Sequence, residues 1–331
     1  MDLAALDWDV LDRLRATFLS DARAAGPYWH TLTDLECYDA TYGERIGWKW
    51  DAVLAELRTR GWSAPAGATV LDWGCGSGVA GRRVVEFLGA ARLLLHDHSA
   101  LAVEFAEHRA RRLLSGVEVA RADTRQLRAG PVDVLVVSHV LNELDDVGRA
   151  DLADLLARAR VVLWVEPGTH EVSRALGAWR ERAREAGFGL VAPCTHAAAC
   201  GVLAPGNERH WCHFFAAPPP AIFANPDWVK FGQRAGIDLR SLPYAFLVLD
   251  RGHAATAAVP DARVLGEPRL YKGYAKVFSC DAAGVAELTL QQRTDKALFK
   301  ELKRADGPLL YRWTRDGDRI TAAQRVPAAV S

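Results

Sequence analysis

The sequence predicts a parallel, doubly wound α/β fold with a helical region before it and a small antiparallel β domain after it. Between residues 67 and 186, short apolar runs alternate with helical segments, which is the pattern of β-α-β units in a parallel sheet. Apolar residues at three- and four-residue spacing precede this region, and short strands separated by turns follow it. We therefore predict a helical region at 1–60, a core of about seven strands at 61–252 and a β domain at 253–331.

Each element of the core is predicted from its own apolar pattern. The run from Val134 to Val137, for example, is continuously apolar, as expected for a strand buried on both faces. The stretch between the last two strands holds three prolines at 218–220 and predicts an irregular connection. The predicted strands and helices are Ala68–Trp73, Gly78–Leu88, Arg92–His96, Ala100–Leu114, Val117–Ala120, Val134–Val137, Asp146–Ala157, Val161–Val165, Val172–Ala186, Trp211–Phe215 and Tyr244–Asp250.

The composition excludes some classes of protein. The chain has 331 residues with 41 basic and 41 acidic side chains, so its formal net charge is zero. That balance argues against a strongly basic nucleic-acid binder. No uncharged apolar run approaches the roughly 18 residues that a membrane helix needs. A signal peptide begins with a basic segment that an apolar segment follows, whereas the first charged residues here are acidic. We therefore expect no signal peptide and a cytoplasmic protein.

A glycine-rich loop follows the first predicted strand, with the sequence Asp-Trp-Gly-Cys-Gly-Ser-Gly at 72–78. Glycines permit a sharp turn and close approach to a ligand, and the next helix offers free N–H groups to an anion. The glycines at 76, 78 and 81 also fit the dinucleotide fingerprint. We favour the loop of class I S-adenosylmethionine (SAM) methyltransferases, which the segment resembles, because Asp72 can receive the methionine ammonium, whereas a pyrophosphate gains nothing from a carboxylate there.

Two further carboxylates lie where other parts of SAM would bind. Asp97 follows the second strand, where a carboxylate can accept hydrogen bonds from two ribose hydroxyls. Asp123 follows the third strand, where methyltransferases contact the adenine amino group. Each aspartate alone is also consistent with a turn or a helix cap. The predicted cofactor-binding residues are Asp72, Gly74, Cys75, Gly76, Gly78, Asp97, Asp123 and Ser138.

The catalytic residues are less clearly marked than the cofactor loop. The segment Ser-His-Val-Leu-Asn-Glu-Leu at 138–144 follows the fourth strand, at the sheet edge where catalytic groups sit. His139 is a candidate base, with Glu143 near it, although His139 is equally compatible with packing against the adenosine. The segment lacks the Asn-Pro-Pro-Tyr type of loop that serves base-amine methylation, and it holds no cysteine that would attack a pyrimidine.

Three cysteines, Cys194, Cys200 and Cys212, fall close together in a predicted cysteine-rich insertion at 191–215 of the core, and Cys280 stands alone in the β domain. Clustered cysteines in a reducing compartment suggest a soft-metal site. The ligand set could be completed by nearby histidines, as in a zinc site, or by Cys280 as a fourth thiolate. The spacing does not choose between zinc and an iron–sulfur cluster, and buried thiols without metal are the remaining possibility. The histidines in question are His196, His210 and His213. Of the remaining cysteines, we expect Cys75 to be structural in the glycine loop and Cys37 to be buried.

The motifs together resemble the small-ribosomal-subunit methyltransferase-like proteins, which occur in bacteria and in mitochondria. The combination of the 138–144 segment, Glu-Pro-Gly-Thr and the cysteine-rich segment is specific, whereas the glycine loop alone is not. The resemblance covers most of the chain from about residue 35. The matching segments are VLDWGCGSGVA at 70–80, VVSHVLNEL at 136–144, VEPGT at 165–169, VAPCTHAAAC at 191–200, WCHF at 211–214, YAFLVLDR at 244–251 and KGYAKVFSCDAAG at 272–284.

The resemblance implies a SAM-binding core and a four-iron four-sulfur (4Fe-4S) cluster. Its four ligands would map to Cys194, Cys200, Cys212 and Cys280, so the lone cysteine of the β domain gains a role. The sequence departs from the family at Thr195, where proline is usual, and in the apolar segment 215–218.

The resemblance further implies a SAM-dependent methyltransferase that acts on or near rRNA of the small ribosomal subunit. Two alternatives remain open at this point. One is a SAM-binding assembly factor that transfers no methyl group. The other is a small-molecule methyltransferase on the same scaffold, which the neutral charge and the apolar segment 215–218 would suit.

Overall fold

The computed structural model describes residues 6–20, 28–253, 261–304 and 307–326. The chain divides into two compact units, each assembled from separate stretches. The first unit comprises 1–54, 63–165 and 216–242, and the second comprises 55–62, 166–215 and 243–331. The three domain boundaries that the sequence suggests stay a prediction.

Helices account for much of both units. The α-helices are α1 (Trp8–Leu19), α2 (Leu32–Tyr38), α3 (Glu44–Thr59), α4 (Val79–Leu88), α5 (Ala100–Leu113), α6 (Thr124–Arg128), α7 (Asp146–Arg158), α8 (His170–Glu185), α9 (Pro226–Ala235) and α10 (Lys296–Arg304), with a π-helical turn at Asp39–Gly43 between α2 and α3. No helix of the described residues is long and apolar enough to cross a membrane.

The strands fall into an α/β part and a C-terminal barrel. They are β1 (Thr69–Trp73), β2 (Arg92–His96), β3 (Glu118–Arg121), β4 (Val132–Ser138), β5 (Ala159–Pro167), β6 (Gly189–Ala192), β7 (Phe214–Ala216), β8 (Leu242–Asp250), β9 (Ala262–Tyr271), β10 (Tyr274–Asp281), β11 (Gly284–Gln291), β12 (Leu310–Asp316) and β13 (Arg319–Arg325).

The first unit is built on a parallel sheet in the order β3-β2-β1-β4-β5. Its central strands β1 and β4 are almost entirely buried, which explains their unbroken apolar sequences. This strand order is that of Rossmann-like folds, and it places ligand-binding loops at the carboxyl ends of the strands. The α/β fold predicted from the sequence is therefore confirmed.

A cluster of aromatic and aliphatic side chains packs α1 and α2 against α5 in the first unit. Leu14 and Leu35 are fully buried there, beside Trp29 and Phe105. Thr31 and Asp34 start α2 with a reciprocal capping box, which satisfies backbone N–H groups of the first turn. The predicted helical character of the N-terminal region is confirmed for the described residues.

The second unit contains the strands β6 and β8 and a closed barrel. Strands β6 and β8 pair antiparallel, and β7 lies beside β8. The barrel closes in the order β10-β11-β13-β12-β9. Its interior is filled by apolar side chains such as Val277, Leu290 and Tyr311, together with Leu298 and Leu302 of α10.

Three details differ from the sequence-based expectation. The predicted irregular connection contains α9, which Asn225 caps and in which Pro226 is the first residue. Pro226 is pre-organised for a helix start, which explains why a helix begins within this proline-containing stretch. The predicted strand at Trp211–Phe215 begins only at Phe214. The C-terminal domain is not purely antiparallel, because β11 and β13 pair in parallel.

Candidate functional site

The glycine loop of the first unit adopts a conformation that only glycine tolerates easily. Gly74, Gly76 and Gly78 have φ angles of 71°, 52° and 76°, in the left-handed region where a Cβ is strained. A Cβ on Gly74 would lie 2.6 Å from Val140, whereas a Cβ on Gly76 would meet nothing within 4 Å. The backbone at Gly76 therefore faces open space that a ligand can occupy.

Asp72 lies at the end of β1 and is fully buried. Its Oδ2 accepts a hydrogen bond from the Gly81 backbone N–H at 2.9 Å, while its buried Oδ1 has no partner among the described residues. Burial raises the pKa of Asp72 to about 7, against the opposing effects of the Gly81 N–H and Arg82. A buried acceptor without a donor is uncommon in proteins, and a cationic ligand group would satisfy it.

Asp97, at the end of β2, is bound to the same loop. One carboxylate oxygen accepts the Gly76 N–H and the other accepts the Ser99 N–H, both at 2.9 Å. Each carboxylate oxygen has a second lone pair, so Asp97 can order the loop and still accept hydroxyl hydrogen bonds from a ribose.

Asp123 and Ser138 have partners within the protein. Asp123 is exposed and caps α6, where it accepts the Gln126 N–H at 2.7 Å. Ser138, at the end of β4, accepts a hydrogen bond from the Trp50 indole at 3.0 Å. The capping role of Asp123 is the alternative that its sequence position left open. Its proposed contact with adenine stays a prediction.

The candidate catalytic residues follow β4. His139 has a φ of 58°, a conformation rare for a residue other than glycine and often found at functional sites. Its Nε2 is buried without a partner among the described residues. Burial, together with Lys49, holds the pKa of His139 well below its usual range. Glu143 accepts a hydrogen bond from the Tyr28 hydroxyl at 3.4 Å.

The four predicted metal-binding cysteines all belong to the second unit, and none forms a disulfide. Burial and then the Cys194 thiol raise the pKa of Cys200, Cys212 and Cys280 alike. The Cys194 thiol therefore interacts electrostatically with all three of the other cysteines. Cys75 belongs to the glycine loop of the first unit and Cys37 is fully buried, as the sequence suggested.

Several buried polar atoms near the cysteines lack partners among the described residues. They are Nε of Arg180, Nδ1 of His196 and the hydroxyl of Thr195. His196 Nε2 lies 3.7 Å from the Cys280 sulfur, and Arg180 donates to the His196 carbonyl at 3.1 Å. Arg180 also interacts with Cys194. Three potential donors without acceptors thus belong to residues that flank or contact the cysteines.

A buried ion network fixes the segment that carries Cys194. Glu56 is 2% exposed and pairs with Arg60 at 2.8 Å and with Arg263 at 2.5 Å. Arg60 donates to the carbonyls of Val191, Pro193 and Cys194 at 2.9–3.2 Å. No sequence motif marks this network, because its members come from three distant parts of the chain.

The histidines proposed as zinc ligands are mostly engaged elsewhere. His210 stacks on Phe278 and His213 stacks on Trp211, with ring centroids 4.3 and 4.6 Å apart. In the part of the chain that the structure describes, no group of three or more His, Cys, Asp or Glu side chains converges on a point that would hold a single metal ion. The described geometry therefore supports neither the zinc site nor the iron–sulfur cluster, and both stay predictions.

A parallel sheet with a glycine loop after β1 and a carboxylate after β2 defines a Rossmann-like, nucleotide-cofactor-binding class of protein. Within that class, the sequence profile described as mitochondrial small ribosomal subunit Rsm22 matches residues 66–308. The match spans nearly three quarters of the chain, so the protein belongs to the Rsm22 family. The resemblance recognised from the motifs is thus confirmed. A search of curated proteins found no match.

Several solved structures are similar to parts of the chain. A putative RNA methyltransferase from Pyrococcus horikoshii shares 15% identity, with a TM-score of 0.38 over 61% of this chain and 81% of its own. Magnesium protoporphyrin IX methyltransferase from Synechocystis, solved with bound SAH, shares 18% identity, with a TM-score of 0.36 over 74% and 99%. Similarities of this size do not carry an activity over to this chain.

The buried ion network gives a first prediction. Glu56→Gln should lower the free energy of unfolding by about 3–5 kcal/mol, because it leaves two buried guanidinium groups without their carboxylate. Burial alone would raise the pKa of Glu56, but Arg263 and Arg60 lower it overall. The stabilisation should therefore be present at neutral pH and disappear as the pH falls through that lowered pKa. Urea unfolding at several pH values measures it.

Glu185→Gln is the matched control, since Glu185 forms an exposed pair with Arg184 in the same unit. Exposed pairs contribute about 0–1 kcal/mol. Equal losses of stability in the two variants would contradict the structural importance of the Glu56 network.

Proposed function

We propose that the protein is a SAM-dependent methyltransferase of the small-ribosomal-subunit type, acts on or near rRNA, and carries a 4Fe-4S cluster. The observation that carries the proposal is the carboxyl edge of the parallel sheet, where the open backbone at Gly76 is bound to Asp97 and Asp72 is buried with an unpartnered oxygen. The family's own description names the mitochondrial small ribosomal subunit, which supports the ribosomal partner. The cytoplasmic location expected from the sequence stays a prediction.

The residues of the glycine loop fit SAM in charge and in space. The methionine ammonium would pair with the buried Oδ1 of Asp72, which has no other partner among the described residues. The backbone at Gly76 leaves room for the ligand, and Asp97 would accept the ribose hydroxyls. When bound, SAM supplies the electrophilic methyl group. The chain's own residues bind and orient it, and the half-buried His139 and Glu143 lie beyond β4 as candidate proton acceptors.

Asp72→Asn tests the ammonium contact. The amide oxygen can still accept from Gly81, so the fold should be kept, but the charge that holds the ammonium is lost. Hydrogen bonds to charged groups contribute about 1.5–3 kcal/mol, so SAM affinity measured by isothermal titration should fall by about 10- to 100-fold. Because the pKa of Asp72 is about 7, the wild-type affinity should also weaken as the pH drops below that value.

Asp133→Asn is the control for this variant. Asp133 also accepts a backbone N–H, from Thr69 at 2.9 Å, but it lies at the opposite end of the strands. Its replacement should leave SAM affinity and its pH dependence unchanged. Wild-type affinity in Asp72→Asn, or the absence of any heat with the wild-type protein, would refute the SAM site.

The chemistry around the four cysteines fits a 4Fe-4S cluster. Each cysteine of such a cluster binds a different iron, so the thiols need not converge on one point as they would for zinc. Cluster sulfides accept hydrogen bonds, and the unpartnered donors of Arg180, His196 and Thr195 are available to them. The guanidinium of Arg180 would also balance the negative charge of a cluster with four thiolates.

Replacing the cysteines one at a time tests this assignment. Cys280→Ser should lose the metal as completely as Cys194→Ser does, because both would be cluster ligands, and iron content should fall from about four per chain to near zero. Cys37→Ser is the control, since Cys37 is buried in the first unit. Iron, sulfide and visible absorbance are measured after purification without air. A colourless wild-type protein with stoichiometric zinc would sink the assignment.

One observation favours the alternative of an assembly factor without methyl transfer. The lowered pKa of His139 makes it a weak base, and Glu143 is hydrogen-bonded to Tyr28. Neither His139 nor Glu143 is therefore well suited to act as a general base. Comparing rRNA methylation in a deletion strain and the wild type separates the two functions. A lost methylation supports the enzyme, whereas an unchanged methylation map with defective small-subunit assembly supports the factor.

A further inference from the structure

The C-terminal barrel has the strand arrangement of an OB-fold. Its five strands, β9 to β13 in chain order, close in the spatial order β9-β10-β11-β13-β12. Helix α10 connects the third strand in the chain, β11, to the fourth, β12. The third and fifth strands, β11 and β13, pair in parallel. OB-folds bind oligonucleotides on the face of their second and third strands and through the loops after the first and fourth strands. The equivalent surface here is the outer face of β10 and β11, with the turns at 271–274 and 316–319.

An aromatic row crosses this outer face at one end. Tyr271, Tyr274 and Gln291 are direct cross-strand neighbours on β9, β10 and β11. The two tyrosine rings stack, with centroids 4.7 Å apart and planes inclined by 8°. Tyr271 is 43% exposed. Since Ala275 next to Tyr274 is fully buried in the barrel, the aromatic row points outward.

A basic row lies beside the aromatic row. Arg269, Lys276, Thr289 and Arg319 are cross-strand neighbours on β9, β10, β11 and β13. On each of the first three strands this row lies two residues from the aromatic row, and side chains two apart share a face. Three of the four side chains are cationic, so stacking surface and positive charge are adjacent on one surface.

The charges on this surface are only partly neutralised within the protein. Glu287 pairs with both Arg269 and Lys276. Arg319 forms no ion pair with any residue that the structure describes, and neither does Lys272 of the 271–274 turn. Basic side chains also outnumber acidic ones by about 13 to 9 in residues 261–325, although the whole chain is neutral.

We propose that the end of the outer face of β10 and β11 that carries Tyr274 and Lys276 binds a single-stranded nucleic acid. The other end, at Phe278, is covered by His210. Bases would stack on the Tyr271–Tyr274 pair, and phosphates would lie along the basic row and Lys272. Aromatic platforms beside cationic grooves are the means by which OB-folds hold single strands with little sequence preference. This surface adds to the function proposed above and requires neither SAM binding nor methyl transfer, so its failure would leave the SAM site untouched.

Fluorescence anisotropy with the full chain tests the proposal. The probes are labelled oligouridylate and oligothymidylate, each about 12 nucleotides long, a length within the usual range for OB-folds, and a duplex of the same length. A single strand should bind more tightly than the duplex, and its affinity should fall with salt. Tighter binding of oligouridylate assigns the surface to RNA, and tighter binding of oligothymidylate assigns it to DNA.

Four variants separate a binding role from a structural one. Tyr271→Ala should weaken binding by about tenfold, whereas Phe223→Ala, which removes an aromatic side chain 48% exposed in the first unit, should not. Arg319→Gln should reduce the slope of log affinity against log salt by about 0.7. Glu287→Gln should strengthen binding, because it releases Arg269 and Lys276 toward the phosphates.

The increase in affinity expected of Glu287→Gln is the most discriminating result, since damage to the barrel would weaken nucleic-acid binding instead. Absence of binding by either single strand, preference for the duplex, or equal affinities of the wild type and Tyr271→Ala would each overturn the proposal. Circular dichroism of each variant verifies that the barrel is folded.

Discussion

The position of the cysteine segment depends on one buried carboxylate. An isolated carboxylate at the 2% exposure of Glu56 would cost several kcal/mol, so Glu56 stays ionised and buried only because Arg60 and Arg263 flank it. The same guanidiniums reach the carbonyls of the segment that ends in Cys194. A helix end, a loop and a barrel strand, far apart in sequence, are thereby held in one network within the second unit.

Asp72 is the informative contrast in the first unit. Both oxygens of Glu56 have charged partners, which is what a purely structural buried carboxylate requires. Asp72 is equally buried, but one of its oxygens has no partner among the described residues. Proteins seldom leave buried acceptors unsatisfied without a reason. The difference between a complete and an incomplete set of partners therefore separates a structural carboxylate from one that is suited to a ligand.

Local sequence patterns predicted the features that depend on interactions between residues close together in the chain. The glycine loop, its flanking strand and the position of Asp97 follow from short-range pattern and chain order. The Glu56 network and the closure of the barrel depend on pairings between distant segments, which a single sequence does not encode locally. The grouping of Cys280 with Cys194 was one of several alternatives that the cysteines left open, and only the family resemblance favoured it, because 85 positions in the chain separate the two residues. The start of α9 is different, since Asn225 and Pro226 mark it locally in the sequence.

The zero net charge of the chain is a weak argument against a nucleic-acid partner once burial is considered. Buried carboxylates such as Asp34, Asp39 and Glu56 form ion pairs with guanidinium groups, so their charges are neutralised inside the molecule. Among the described residues six acidic but only three basic side chains are buried. The net charge of the whole chain therefore does not report the charge of any one surface. What decides affinity for a phosphate chain is the cations that face solvent on one surface, and the basic row of the barrel is such a surface.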